Sequence, residues 1–305
     1  MIGPMETPGG VGDAVGRRRI GAYILPGDPV WLASSLSRYY PLLDDLVVVS
    51  PRSRRGWTGR ELPVDECVAI VREVDVRGIH RVVWGEWEDH REPMHAETAQ
   101  RQAGIDAIGD RVDWVLQIDN DEILPNPGAL LDLMAEADAR SCGAIEWPMR
   151  VLFRRLANGD YLEVCSRGGA PRYDYPGPIA VRAGATTIDA RRCGGGFLRP
   201  VVRDDDRSLQ LTQTPAKGEL RVATLTHSEA IVHNSWGREP AAVHRKIRSW
   251  GHAAGIRGEV YYWTTWRPAP VLWRLMRNFH PFARGLWPRL VRTSDAKALL
   301  VDPDR

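Results

Sequence analysis

The sequence predicts an α/β domain, a mostly parallel central sheet with helices on both faces. Three observations carry this. Four short apolar runs with β-branched and aromatic members, at residues 19–25, 46–49, 80–84 and 114–118, have the make-up of buried strands. Segments with helical patterning separate them one by one, which is the order of a parallel sheet covered on both sides. The fourth run then stops in carboxylates and proline, Asp119-Asn120-Asp121-Glu122-Ile123-Leu124-Pro125. In open α/β sheets the carboxyl ends of the strands are where ligands bind.

Each element has its own signal. The first strand carries Ile20, Ala22, Tyr23, Ile24 and Leu25 and is closed by Pro26-Gly27-Asp28-Pro29. Asp28 or the proline suits the start of a helix over 30–40, with Trp31, Leu32, Leu36 and Tyr39 at helical spacing. The purely apolar strand 46–49 runs into a polar, basic loop from Ser50 to Gly59. A helix over 63–73 precedes the strand 80–84. Residues 86–95 are dense in charge and turn formers. A helix over 94–108, with Ala96, Ala99, Ala103, Ile105, Ala107 and Ile108, ends at Gly109 and feeds the strand 114–118. There is no Gly-x-Gly-x-x-Gly after the first strand and no Gly-x-x-x-x-Gly-Lys-Ser/Thr, so dinucleotide and P-loop sites lose support.

Beyond the acidic turn the sequence predicts a helix at 127–139, a strand over 143–154 and a hairpin turn at Asn158-Gly159-Asp160. Residues 167–203 read as loops and short strands, with apolar pieces at 179–181 and 197–202. A polar loop at 204–207, strand-like pieces at 219–227 and 230–232, and a helix over 240–251 with His244, Ile247 and Trp250 follow. The tail 261–291 holds Trp263, Trp266, Trp273 and Trp287 among Arg and Pro. It reads either as a basic amphipathic segment lying on a membrane surface or as a helix packed with its tryptophans inward.

Composition narrows the class. At 305 residues, 43% hydrophobic and 26% charged, the chain is an ordinary globular protein with ample core. A net charge of +2 is too small to argue for nucleic acid. Cys67, Cys142, Cys165 and Cys193 form no Cys-x-x-Cys pair, which disfavours a zinc knuckle and fits reduced thiols. Residues 1–16 lack an apolar export core and no apolar run spans a bilayer, so the expected location is cytoplasmic, with membrane association as the variant the tail allows.

Asp119, Asp121 and Glu122 at the end of a buried strand are costly unless compensated. A hard cation, Mg²⁺ or Mn²⁺, is the natural compensation because it prefers oxygen ligands and leaves positions for phosphate oxygens. The plainer alternative makes them turn residues and caps of the helix at 127–139.

Two stretches add a resemblance. Gln100-Arg101-Gln102-Ala103-Gly104-Ile105 stands ahead of Asp113-Trp114-Val115-Leu116-Gln117-Ile118-Asp119-Asn120-Asp121-Glu122, and Ala230-Ile231-Val232-His233-Asn234-Ser235-Trp236 precedes a helix with Lys246 and Trp250. Together they resemble the GT-A glycosyltransferases, the family 2-like group, and the Asp-x-Asp-Glu form is similar to the branch that includes family 92-like enzymes. The resemblance covers residues 19–250. It implies a GT-A type fold with a smaller acceptor-side β/loop region and C-terminal helices. Residues 1–17 would then be a flexible leader, 18–140 the nucleotide-sugar half, 141–260 the acceptor-side half of the same domain and 261–305 the Trp/Arg-rich tail.

It further implies transfer of a sugar from a nucleoside-diphosphate sugar to a glycan or other hydroxyl acceptor, with Mn²⁺ or Mg²⁺ bridging the diphosphate. Asp121, Asp119 and the late His233 would be the metal ligands, with His227 as competitor to the latter. Arg101, Asp119 and Ser50 would contact the donor. Glu146 and Asp174 are the candidates for the base that takes the acceptor proton, and Asp204–Asp206 reads as a solvated loop. The sequence departs from the pattern after the second strand, where many members carry acidic nucleoside contacts and this chain has Ser50, Arg52, Arg54 and Arg55. Pro26-Gly27-Asp28 also replaces the usual Asn-Glu pair. The arginines of residues 182–203 favour an anionic acceptor. A nucleotidyltransferase, another nucleotide-sugar enzyme, or a non-catalytic sugar- or nucleotide-binding protein are the competing readings.

Overall fold

The computed structural model describes residues 17–249, 256–281 and 283–299; the leader 1–16, Trp250 and Gly251 lie outside the described residues. The first half alternates as expected: β1 (Ile20–Ile24), α1 (Leu32–Tyr39), β2 (Asp45–Pro51), α2 (Val64–Val74), β3 (His80–Gly85), α3 (Pro93–Ile108) and β4 (Trp114–Leu116). Then come β5 (Glu122–Ile123), α4 (Pro127–Ala139), β6 (Ala144–Glu146), β7 (Met149–Arg155), β8 (Tyr161–Cys165) and β9 (Pro178–Arg182). The chain continues through β10 (Thr187–Asp189), β11 (Arg192–Cys193), β12 (Phe197–Val202), β13 (Glu219–Leu225), β14 (Ile231–His233), α5 (Pro240–Ser249), α6 (Ile256–Tyr261), α7 (Ala269–Leu272) and β15 (Arg289–Thr293).

The central sheet has eight strands in the order β13-β12-β6-β9-β4-β1-β2-β3. Only β9 runs against its neighbours β4 and β6. Strand residues alternate between faces. Ile20, Ala22, Ile24, Leu46, Val48 and Leu116 pack with α1, α2 and α4 on one side. Tyr23, Val47, Val49 and Val115 pack with Ile105 and Ile108 of α3 on the other. This is the mostly parallel, doubly covered α/β fold expected of a GT-A type chain.

A smaller five-stranded sheet, β15-β8-β7-β14-β5, stands beside it. It corrects one expectation. Residues 143–154 are not one strand: β6 belongs to the central sheet and β7 to the smaller one. The break falls at Trp147-Pro148. Proline has no N–H to give a ladder, its carbonyl accepts from Ile231 N at 3.0 Å, and the Trp147 indole donates to the Glu229 carbonyl at 2.9 Å. Both pieces are buried, so hydrophobicity ran through the break unmarked. The hairpin at Asn158-Gly159-Asp160 joins β7 to β8, antiparallel as expected.

The tail also divides. Trp266 and Trp287 are buried, Trp273 is half-buried against the same cluster and Trp263 is exposed. The segment ends as strand β15 on the smaller sheet rather than as helix. All four cysteines are free thiols.

The acidic turn lies where the chain leaves the central sheet after β4 and enters the smaller one as β5. The α3 motif is built to serve it. A Cβ on Gly104 would sit 2.6 Å from the Tyr23 ring. Tyr23 in turn donates to Gln117 Oε1 at 2.9 Å. Gly104→Ala is therefore expected to lower stability by about 1–3 kcal/mol through overpacking. Gly27→Ala, where a Cβ meets nothing within 4 Å, is expected to change stability by less than about 0.5 kcal/mol. Urea unfolding midpoints of the two variants check this; equal midpoints would contradict it.

Candidate active site

Gln117, the one polar residue in the fourth apolar run, is the anchor. Its amide donates to the carbonyls of Pro178 and Arg191, each at 2.8 Å. That fixes Arg191 under the acidic turn. The Arg191 guanidinium reaches Asp119 Oδ2 at 2.9 Å and Glu122 Oε2 at 3.0 Å, and also contacts Glu122 Oε1. Glu122 is fully buried and accepts from Asp119 N at 3.0 Å, so it orients the turn. Asn120 braces the turn against β1, donating to the carbonyls of Leu25 and Asp28 at 3.1 and 2.9 Å. The carboxylates do not cap α4; Asn126 does, accepting from Gly128 N at 3.1 Å.

Each acidic side chain has cationic partners. Arg101 donates to both Asp119 oxygens at 3.0 and 3.2 Å and to Glu97 at 2.9 Å. Arg238 donates to Asp121 Oδ2 at 2.5 Å and also contacts Asp28. Lys246 lies 3.5 Å and His233 3.7 Å from Asp121 Oδ2. Asp28, Glu97, Asp119, Asp121 and Glu122 therefore face Arg101, Arg191, Arg238 and Lys246, five carboxylates against four basic side chains. Burial would raise the Asp121 carboxyl, but Lys246, Arg238 and His233 hold it well below the usual range. Asp119 is likewise lowered, burial being outweighed by Arg101 and Arg191. Burial pulls the Lys246 ammonium down against the attraction of Asp121.

The expected metal ligands Asp119, Asp121 and His233 do come to one turn: His233 pairs in register with Glu122 across β5 and β14, and Asn234 N donates to the Asp121 carbonyl at 2.8 Å. As arranged they do not fit a divalent cation. Both Asp119 oxygens accept from guanidinium groups, and Asp121 Oδ2 faces three cationic or potentially cationic side chains. Among the described residues no group of three His, Cys, Asp or Glu side chains gathers to hold a metal. The compensation expected from a cation comes from Arg101, Arg191, Arg238 and Lys246.

The other expected residues separate. Ser50 is fully buried on β2 with its Oγ unpartnered, so it makes no hydrogen bond to the acidic turn. Glu146 is bound by Arg199 at 2.7 Å, which also holds Glu219 at 2.7 Å, in an ion cluster of its own. Burial raises its carboxyl while Arg199 opposes. Asp174 accepts from the Trp287 indole at 2.7 Å through Oδ2, while Oδ1 is buried without a partner. Burial pushes its carboxyl up to about 6, with Trp287 and the charge of His233 opposing. The Asp174 backbone pairs with Met149 at the start of β7, the strand on which β14 and His233 lie in register. His227 pairs instead with Tyr173 at 2.8 Å. Asp205 closes a local turn by accepting from Ser208.

Of the arginines of 182–203, Arg191 and Arg199 are buried on carboxylates and Arg182 pairs with Asp138 nearer the surface, while Arg192 and Arg203 are exposed. Residues that sequence reasoning did not assign are Arg191, Arg238, Lys246, Gln117, Asp28 and Asn234. The Asn234 side chain is fully buried with neither amide atom bonded, and Arg101 Nη1 is buried and unpartnered. A lone polar residue inside an apolar run was the available signal for Gln117; nothing local marks Arg191 or Arg238.

No protein-family profile matches the sequence, and no curated protein matches it. Solved structures similar to it include a 4-diphosphocytidyl-2C-methyl-D-erythritol synthase from Anaerococcus prevotii, at 14% identity, TM-score 0.32, over 55% of this chain and 73% of that one. A second structure of a 4-diphosphocytidyl-2C-methyl-D-erythritol synthase is similar at 18% identity, TM-score 0.30, over 55% of this chain and 76% of that one. Likenesses this distant carry nothing about activity.

Two outcomes follow from the site. Asp121→Asn leaves Arg238 and Lys246 facing a neutral group and is expected to cost on the order of 3 kcal/mol, read from a urea midpoint; an unchanged midpoint would contradict the assignment. The raised Asp174 carboxyl makes the native state the stronger proton binder between the usual aspartate value and about 6. Stability is therefore expected to fall as pH rises from about 4 to 6, by at most about 3 kcal/mol, and to level off above. Asp174→Asn is expected to remove that slope; a slope identical to the wild type would exclude Asp174 as its source.

Proposed function

We propose that this chain is a glycosyltransferase that moves a sugar from a nucleoside-diphosphate sugar to a hydroxyl acceptor. The observation that carries the reading is the cluster at the carboxyl ends of β1 and β4. Five carboxylates and four basic side chains are gathered there, and the Arg101 Nη1 donor and the Asn234 amide are buried and unpartnered. Buried ion pairs are a poor way to stabilise a fold, and orphaned buried polar groups call for a partner. A diphosphate answers both, because guanidinium groups grip phosphate oxygens through two donors at once.

The chemistry follows. The acceptor oxygen attacks the anomeric carbon, the anomeric C–O bond breaks, and its electron pair leaves with the diphosphate. Negative charge grows on that leaving group, where Arg101, Arg191, Arg238 and Lys246 offer preorganised positive charge. The acceptor proton passes to Asp174. Its carboxyl, at about 6, is ionised at neutral pH yet basic enough to accept a proton. Glu146, held by Arg199, is the poorer base. No step runs through a divalent cation.

A panel of nucleotide sugars tests this by release of free nucleoside diphosphate, with and without EDTA. One donor is expected to be hydrolysed or transferred, with EDTA changing the rate by less than about threefold. Arg191→Gln is expected to slow turnover by about 100-fold or more, and Asp174→Asn by about 100- to 10,000-fold with loss of the acid limb near pH 6. Pyrophosphate release from a nucleoside triphosphate would favour a nucleotidyltransferase instead. Activity abolished by EDTA would show that the four cations do not replace a metal.

A further inference from the structure

The C-terminal segment carries a face that neither the core nor the candidate active site uses. After Pro268 the chain makes a short helical stretch whose two sides differ. Ala269 is buried, and Trp273 and Met276 pack against the core cluster of the smaller sheet. On the other side Val271 and Leu275 are more than four-fifths exposed and Leu272 is exposed; Trp263, in the preceding helical segment, is exposed as well. Such a run of large apolar side chains in water costs free energy unless something covers it.

Charge says what kind of surface covers it. Arg277 and Asn278, two and three residues after Leu275, line a groove of about 340 Å³ with Arg167, Pro288 and Arg289. The loop forming it is held shut by two backbone bonds, Asn278 N to the Pro288 carbonyl at 3.1 Å and Phe279 N to the Trp287 carbonyl at 2.7 Å. Arg277 turns to the carbonyls of Arg274 and Met276, and Arg289 to that of Arg167. Among the described residues none of Arg167, Arg274, Arg277 and Arg289 has a carboxylate partner, although most other buried or half-buried arginines of the chain do. The exposed cations are therefore free to meet an external anion.

We propose that this face docks on an anionic phospholipid bilayer. Val271, Leu272, Leu275 and Trp263 would enter the headgroup region, and the arginine groove would take a lipid phosphate. Apolar and tryptophan side chains flanked by arginine are the pattern of interfacial binding. No helix among the described residues is long and apolar enough to cross a membrane, so the contact is peripheral. The groove adjoins Trp287, whose indole holds Asp174. A docked bilayer would thus lie beside the residue assigned as base, which suits an acceptor carried by a lipid; this last link alone rests on the transfer reading.

The test is flotation of the full chain with phosphatidylcholine vesicles and with vesicles of phosphatidylcholine plus phosphatidylglycerol, in low and high salt. Binding is expected to the anionic vesicles, at least about tenfold above the neutral ones and weakened by salt. Arg277→Gln with Arg289→Gln is expected to lower it roughly tenfold or more, as is Val271→Ser with Leu275→Ser. All four positions are exposed or half-buried, and a thermal melt confirms the variants are folded. No binding to either vesicle overturns the proposal, as does equal binding to both. Saturable binding of inorganic phosphate without vesicle binding would make the groove a site for a soluble phosphate. Self-association lost in Val271→Ser with Leu275→Ser, again without vesicle binding, would make the ridge a dimer face. Vesicle binding stands or falls without a nucleotide sugar, so its outcome is separable from that of the donor screen.

Discussion

The pairing of Arg191 with Asp119 and Glu122 is the constraint on which the rest depends. Glu122 is wholly buried where the chain passes from the central sheet to the smaller one. An unpaired carboxylate there would have to be neutral or the turn would open. Arg191 reaches it from a loop some seventy positions on, held by its own carbonyl to Gln117. One guanidinium thus joins the end of β4, the start of β5 and the loop before β11. The turn it locks carries Asp121, which in turn gathers Arg238, Lys246 and His233.

That arrangement is expensive as architecture, and the proposed transfer reaction gives it a use as a binding device. Apolar residues of the same volume would stabilise a fold at least as well as these pairs. What pairs add is fixed, oriented charge. With carboxylates behind them, the guanidinium groups need not reorganise when a new anion arrives, and a leaving diphosphate is the kind of charge such a site favours. Asp174 is held by the Trp287 indole and Glu146 by the Arg199 guanidinium, so the two carboxylates sit with different partners.

The first half of the fold was legible because its signals are local. Apolar runs, helical spacing and the stops at Gly109 and Pro125 mark β1 to β4 and α1 to α4 to within a few residues. The need of the acidic turn for compensating charge was legible for the same reason. The split at Trp147-Pro148 was not, because β6 and β7 are equally buried and only the sheet they join differs. The partners of the acidic residues were hidden for a deeper reason. Arg191 and Arg238 lie about seventy and well over a hundred positions from the carboxylates they bind. A carboxylate in sequence shows its need for compensation but not its source, and a metal and an arginine meet that need equally well on paper. The arginines of 182–203 read as one surface field by count alone, whereas folding buried Arg191 and Arg199 on carboxylates and left Arg192 and Arg203 exposed.

Calorimetric titration of nucleoside diphosphates into the protein in EDTA addresses the central claim most directly, with Arg238→Gln as the comparison. Saturable binding of one nucleoside diphosphate without any divalent ion, weakened at least about tenfold in the variant, is the expected result. Binding that appears only when Mg²⁺ or Mn²⁺ is restored, or that Arg238→Gln leaves untouched, would contradict it.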